Sequence, residues 1–273
     1  MRTRWFDAAL ESVAMLWRIE RCDGVTLGFA AHDRDLWIDD LIYRAAPGML
    51  PSAIELDDGL EPSDMDVRGA LDHAAIDAGD LAAGRWDGAS VRIGLVDWRA
   101  STESVAWLLF GRLGVVECDG AAFSAQLMGR KVDLQSVFTP VASPGCRAEF
   151  CGPGCTLSRA RFEHLAVVVS LDGGLAAFSP VAGLGWDAFV GGEIHWLTGA
   201  NAGLRSLVWR VDGAGLVPAD PLPLPVAIGD RALLIQGCDK SIETCATRFA
   251  NAINFQGEPH LPGNDLLTRY PGG

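Results

Sequence analysis

Lysine is scarce in this sequence: Lys131 and Lys240 are the only two in 273 residues, and no run of basic residues exists. Binding that draws its affinity from phosphate neutralisation needs clustered Lys and Arg. Such binding on an outer face is therefore excluded as a main activity. The overall balance of 22 Lys+Arg against 35 Asp+Glu, a formal net charge of −13, points the same way. Long apolar runs are also missing. The stretch from Leu165 to Leu171 is broken by Ser170 and has the length of a strand, far short of the ~20 residues a spanning helix needs. The opening residues, Met1 to Leu10, are too polar and broken for a signal-peptide core, so synthesis in the cytoplasm with no membrane segment is expected. Catalytic signatures are absent as well. There is no HExxH, GxSxG, P-loop or tandem GxGxxG pattern, and Ala182-Gly-Leu-Gly185 has too few glycines to cradle a phosphate. The chain is not expected to be an enzyme.

What is present reads as mainly β. Hydrophobic residues make up 49% of the chain, enough for a substantial core. Val13 to Glu20 and Val25 to His32 flank Cys22-Asp23-Gly24, a hairpin signal because Asp-Gly tolerates positive φ. Ser90 to Trp98 alternates, with Val91, Ile93, Leu95 and Asp97 on one side. Val105 to Gly111, Leu113 to Glu117 and Phe123 to Met128 follow as strands. Helices are expected at Asp72 to Ala83 and, as a short turn, at Lys131 to Val137. A break at Thr139-Pro-Val-Ala-Ser-Pro-Gly-Cys146 divides the chain into residues 1–140 and 141–273. The second part offers strands at Glu163 to Leu171, Gly192 to Leu197, Arg205 to Val211, Leu216 to Val217 and Ala232 to Gln236. Four prolines between Pro218 and Pro225 exclude a central strand or helix there and mark a surface crossing. Ser241 is placed to cap a helix from Ile242 to about Ala252. The fold class expected is α+β with β dominant: two barrel- or sandwich-like subdomains, short helices, and a cysteine-bound metal site in the second.

Five of the seven cysteines fall in two clusters, Cys146-x4-Cys151-x3-Cys155 and Cys238-x6-Cys245, separated by 82 residues that read as a folded β unit. Buried free thiols describe Cys22 and Cys118, which lie beside Asp-Gly turns, better than they describe the glycine-rich cluster. Disulfides do not suit a reducing compartment. A tetrathiolate centre joining the two ends of the unit is the remaining reading. Zinc usually takes knuckles with two to four intervening residues, whereas an iron–sulfur cluster accepts thiolates from widely spaced points. A helix N-terminus at Ser241 would also lower the pKa of Cys245 and favour ligation. Spacing leans to iron–sulfur and leaves zinc open.

The segment Gly237-Cys238-Asp-Lys-Ser-Ile-Glu-Thr-Cys245 and its continuation Ala246-Thr-Arg-Phe-Ala-Asn251-Ala-Ile-Asn254-Phe255-Gln-Gly257-Glu-Pro259-His260-Leu-Pro262-Gly263-Asn264-Asp265 resemble a C-terminal signature. It is that of the tail-tip hub proteins of alpha-proteobacterial gene transfer agents and related prophages, more distantly of the lambda-type tail-tip protein. Asp23 to Leu36, Leu81 to Ala89 and Val96-Asp97-Trp98 resemble the family's upstream blocks. The resemblance implies a structural hub at the tail tip, a homotrimer that joins the distal tail protein ring to the tip or fibre protein. DNA would pass through the lumen without specific binding. It also implies a [4Fe–4S] cluster on Cys146, Cys155, Cys238 and Cys245. Cys151 departs from the family's spacing, as a bystander or as a replacement for Cys146.

Two other functions compete with the hub: a cysteine-based redox or metal enzyme, and a tail-borne peptidoglycan hydrolase pairing Cys151 or Cys155 with His164 or His195. His32-Asp33 resembles a catalytic pair, but neighbours on a strand point to opposite faces, so a structural role is expected for it and for Arg34. His260, between prolines, is expected to anchor a loop. Asn251 and Asn254 are expected to bond backbone near the Cys loop. Trp186, Trp196 and Trp209 are expected in the core, or at an interface.

Overall fold

The computed structural model describes residues 12–45, 50–51, 64–70, 76–99, 105–119, 122–129, 139–172, 175–213 and 215–261. The chain divides into two compact units, residues 1–136 and 137–273.

In the first unit, β1 (Val13–Glu20) and β2 (Thr26–Ala30) form the expected hairpin, with Gly24 at φ +88° in its turn. Then come β3 (Leu36–Ile38), β4 (Leu41–Ala45), β5 (Leu50–Pro51), β6 (Asp64–Ala70), α1 (Ala78–Ala82), β7 (Ser90–Asp97), β8 (Ala106–Asp119) and β9 (Ala122–Gly129). All nine strands lie in one sheet, in the order β3-β4-β2-β1-β7-β8-β9-β6-β5, rather than in the barrel or sandwich expected. Strand β1 is buried on both faces. Trp17 and Ile19 join one apolar cluster, while Ala14 and Leu16 join another with Tyr43 and Val96.

Several local expectations are corrected by backbone detail. Strand β7 keeps an unbroken register with β1, but both of its faces are covered: Val91 and Ile93 are buried in one cluster and Val96 in the other, whereas Leu95 is only half-buried, and the bulge opposite Ile93 and Gly94 lies on β8 at Leu108. The two strands expected on either side of Arg112 are one 14-residue strand, β8, bent by an irregularity between Leu113 and Val116. The helix expected from Asp72 is confined to α1 among the described residues, because the Asp77 side chain caps it by accepting from Asp80 N–H. Residues 71–75 and the turn expected at Lys131 to Val137 lie outside the described residues. Strands β3 and β4 were missed because their turn is Asp39-Asp40, both at positive φ (48° and 58°), without a glycine to announce it.

The second unit is a closed six-stranded barrel. Its strands are β10 (Glu163–Asp172), β11 (Leu175–Phe178), β12 (Glu193–Trp196), β13 (Arg205–Asp212), β14 (Gly215–Pro218) and β15 (Arg231–Ile235), in the order β10-β11-β14-β13-β12-β15. Only β11 was not anticipated. Trp196, Phe178 and Phe189 fill the core with Val168, Ile194 and Leu234. The proline-rich stretch after β14 contains no regular element. It is held by Asn201 Nδ2, which donates to Leu224 O at 2.8 Å, and Leu222 and Val226 pack on the barrel core. Helix α2 (Ile242–Thr247) follows β15 and is shorter than expected. Ala250, at φ +49°, turns the chain before a single 3-10 turn at Ala252–Asn254.

Barrel closure decides where the cysteines go. The first and last strands pair antiparallel, with Glu163 opposite Ile235. The chain entering β10 and the chain leaving β15 therefore meet at one end of the barrel.

Candidate metal centre

The segment carrying Cys146, Cys151 and Cys155 lies against the segment carrying Cys238 and Cys245. Cys146 N–H donates to Lys240 O at 2.8 Å, Lys240 Nζ donates to Ala148 O at 2.6 Å, and Arg147 N–H donates to Gln256 O at 2.9 Å. Phe150, Phe162 and Phe249 pack as a three-ring cluster, with centroids 4.9 to 5.4 Å apart. Arg147 and Glu258 form an ion pair with a closest approach of 2.6 Å, and Glu258 also accepts from Ser143 N–H. The Arg147 hydrogen bond is the main reason the Glu258 carboxyl titrates at about 2. Gly237 and Gly257 permit this packing. A Cβ on Gly237 would sit 1.8 Å from Val190 O, and one on Gly257 would sit 2.6 Å from Gly145 O.

Cys146, Cys155, Cys238 and Cys245 line one small recess whose walls include Ala148, Phe150, Leu157 and Phe249. N–H groups are directed at three of these sulfurs. Gln256 N–H approaches Cys146 Sγ at 3.4 Å, Asn251 Nδ2 approaches Cys155 Sγ at 3.7 Å, and Lys240 N–H serves Cys238. A neutral thiol sulfur is a weak acceptor, so a set of donors turned toward sulfur suits thiolates. Burial pushes the Cys245 thiol up, and Cys238, Cys146 and Cys155 add to the effect. Burial likewise raises Cys238, against the lowering by Lys240 N–H. The lowered Cys245 pKa expected from a helix N-terminus is thus overturned: α2 has only six residues, and desolvation beside three other sulfurs outweighs its weak dipole.

Among the described residues, no group of three or more His, Cys, Asp or Glu side chains could hold a metal ion. The cysteine-bound metal site expected in the second unit is therefore not shown, although the four cysteines line one recess.

Cys151 does not line the recess. Its φ is +60°, and burial, followed by the nearby Cys155, pushes its thiol up to about 11. Thr156, Lys240 and Ala250 share this left-handed conformation. Of these four residues only Lys240 lines the recess, while Thr156 and Ala250 are chain neighbours of its lining residues Cys155 and Asn251.

The other candidates are placed elsewhere. His164 Nε2 lies 2.9 Å from Gln236 Nε2, and its ring packs edge-on to Phe189. His195, on β12, has its pKa lowered by burial and then by Arg205 and Arg159. No hydrogen bond links either histidine to a cysteine among the described residues, and a thiol at about 11 is the reverse of an activated nucleophile. The hydrolase pairing has no support in this geometry. His32 and Asp33 do pair, with Nδ1 2.9 Å from Oδ1, contrary to expectation, because the chain has left β2 and bends there. Arg34 stacks over Trp98 at 5.3 Å. His260 is exposed. Trp196 is buried in the core, whereas Trp209 is 68% exposed. Cys22, an exposed thiol, donates to Asp87 O at 3.6 Å, and the Cys118 side chain lies outside the description. Lys240 and Gln256 were not foreseen as sulfur donors, because main-chain N–H groups leave no mark in a sequence.

Over residues 4–158, more than half of its length, the chain matches the family described as baseplate hub protein, N-terminal attachment domain. The chain belongs to the baseplate hub family. Residues 187–265 of this hub protein match a second family, described as a phage conserved hypothetical protein. It is also similar to a chain in a solved structure of the virion of a native gene transfer agent particle. The identity is 32% and the TM-score 0.82, with 98% of this chain and 94% of that chain covered. No match is found among curated proteins. The role of the hub is a structural one in a phage-like tail. Among the described residues no helix is long and apolar enough to cross a membrane. The first cysteine segment falls in the first matched region and Cys238 and Cys245 fall in the second, so the recess is built from both.

Proposed function

We propose that this hub is the tail-tip adaptor of a gene transfer agent or long-tailed phage. It assembles as a homotrimer and joins the distal tail ring to the tip or fibre protein. In this reading a [4Fe–4S] cluster held by Cys146, Cys155, Cys238 and Cys245 staples the two ends of the barrel unit. The observation that carries the reading is the convergence of those four thiols, and not Cys151, on one recess at the point where the barrel closes. The donor set fits the group. Four thiolates are what such a cluster takes, and N–H groups face three of the sulfurs. When bound, the cluster supplies a multi-point covalent link. The chain's own residues position the ligands and keep water from the sulfurs, with Phe150, Leu157 and Phe249 walling the recess. No electron transfer is needed for a staple. A lumen lined by a chain of net charge −13 would let DNA slide past without holding it.

Anaerobically purified protein should be brown, with a broad visible band and iron and sulfide in equal amounts. Colourless protein carrying one zinc would reverse the cofactor assignment and leave the adaptor role standing. Light scattering should give the mass of a trimer, and a monomer at all concentrations would remove that element. Cys238→Ser should reduce the yield of tailed, transfer-competent particles, so particles of normal number and infectivity would count against a required staple.

A further inference from the structure

Asn251 is in contact with ligands from both ends of the barrel unit. Its main-chain N–H donates to Cys245 O at 2.9 Å, and its side-chain Nδ2 donates to Cys155 O at 2.7 Å and reaches Cys155 Sγ at 3.7 Å. The residue is only 6% exposed. The orientation of its amide is fixed independently of the sulfur: Asn254 Nδ2 donates to Asn251 Oδ1 at 2.7 Å, which leaves the amide NH2 facing Cys155. Of the donors directed at the recess sulfurs, those from Gln256 and Lys240 are main-chain groups. The Asn251 donor comes from a side chain, so it can be removed by substitution without moving the backbone.

From this geometry we propose that Asn251 is a positioning residue of the centre, one that holds Cys155 and tunes the electron density on its sulfur. The inference rests on the iron–sulfur reading above and deepens it. An N–H directed at a ligating thiolate favours the more electron-rich, reduced state of a cluster and raises its reduction potential. It also restrains the ligand against release. Asn251→Asp keeps the shape but turns an oxygen, not a donor, toward the sulfur. Asn251→Ala removes the group. Asn254→Ala leaves Asn251 in place but removes one of the two bonds that orient its amide.

The test uses full-length protein with its cluster reconstituted anaerobically, in wild-type form and in these three variants. Four properties are measured: iron and sulfide per chain, the thermal transition, the midpoint potential by dye-mediated titration followed by the reduced-state paramagnetic signal, and the rate of iron loss to a chelator. The expected result is unchanged iron and sulfide content, with the midpoint potential displaced to more negative values in the order Asp, then Ala, then the Asn254 variant. Iron release should be about 10-fold faster for Asn251→Ala, the lower end of what loss of an outer-shell partner costs in metal affinity. A purely packing role would alter the thermal transition and leave the potential where it was, and that result overturns the proposal. Should Asn251→Ala fail to fold, the isosteric Asp and the Asn254 variants decide the matter by the same two readouts. Wild-type protein that takes up no cluster overturns the cofactor reading together with this inference. Wild-type protein that does take it up, with variants indistinguishable from it, overturns the inference alone.

Discussion

Removing the proposed cluster, by chelation or by Cys238→Ser, should lower the melting temperature of the barrel unit by about 15 °C. The magnitude follows from the chain between the two ligand pairs. Cys155 and Cys238 are separated by 82 residues, and a cross-link closing a loop of that length removes about 4.5 kcal/mol of unfolded-state entropy at 25 °C. The unit spans residues 137–273. At about 2.1 cal/mol/K per residue its unfolding entropy is roughly 0.29 kcal/mol/K, which converts 4.5 kcal/mol into about 15 °C. If the cluster leaves as the chain unfolds, its binding free energy enters as well and the shift is larger, so 15 °C is a floor. The assay is scanning calorimetry under anaerobic conditions on holo, chelator-treated, Cys238→Ser and Cys151→Ser protein, with iron measured on each sample. Cys151→Ser should keep its iron, because that thiol lies outside the recess. Loss of iron with a melting temperature changed by less than about 3 °C would refute the reasoning. In that case barrel closure between β10 and β15 holds the two ends together without help.

Gly237→Ala should destabilise the barrel unit by about 3 kcal/mol or more in denaturant unfolding, since its Cβ would lie 1.8 Å from Val190 O and force apart the backbone that presents Cys238. Trp196→Ala should cost about 3–5 kcal/mol, read the same way, because the side chain is 1% exposed within the barrel core. In the first unit, Asp23 is subject to a desolvation penalty that its hydrogen bonds to Arg21 and Val25 and the Arg21 charge outweigh, so its pKa is below the ordinary 3.8. Its contribution to stability is therefore fully present above that value and is lost as the pH falls through the lower, folded pKa. Asp23→Asn should flatten that part of an acid-unfolding curve followed by tryptophan fluorescence; an unchanged acid limb would show that the Arg21–Asp23–Asp80–Arg85 network does not hold the hairpin to α1.

Much of the strand pattern could be read directly because it rests on local chemistry. The Asp23-Gly24 turn, the apolar runs of β1, β10, β13 and β15, and the four prolines that end β14 all act over a few residues. The errors came where a local rule met an irregularity with no side-chain signature. A second covered face buries Val96 on β7 where a one-sided strand would bury Leu95, and the Asp39-Asp40 turn adopts positive φ without glycine. The sequence reads His32 and Asp33 as strand neighbours, yet they face each other because the strand has already ended at Ala30.

The same division holds for the cysteine recess. Residue type and spacing determined that the chain carries two thiol-rich segments at the ends of a β unit. Whether those segments meet was beyond local information, since their sulfurs lie more than 80 residues apart along the chain. Tertiary structure decided it by pairing the first barrel strand with the last, which brings both segments to one end and leaves Cys151 out of the recess lining. It also decided the surroundings of the sulfurs, because main-chain donors such as Lys240 N–H and Gln256 N–H are common to nearly every residue. They acquire a role only when the fold aims them.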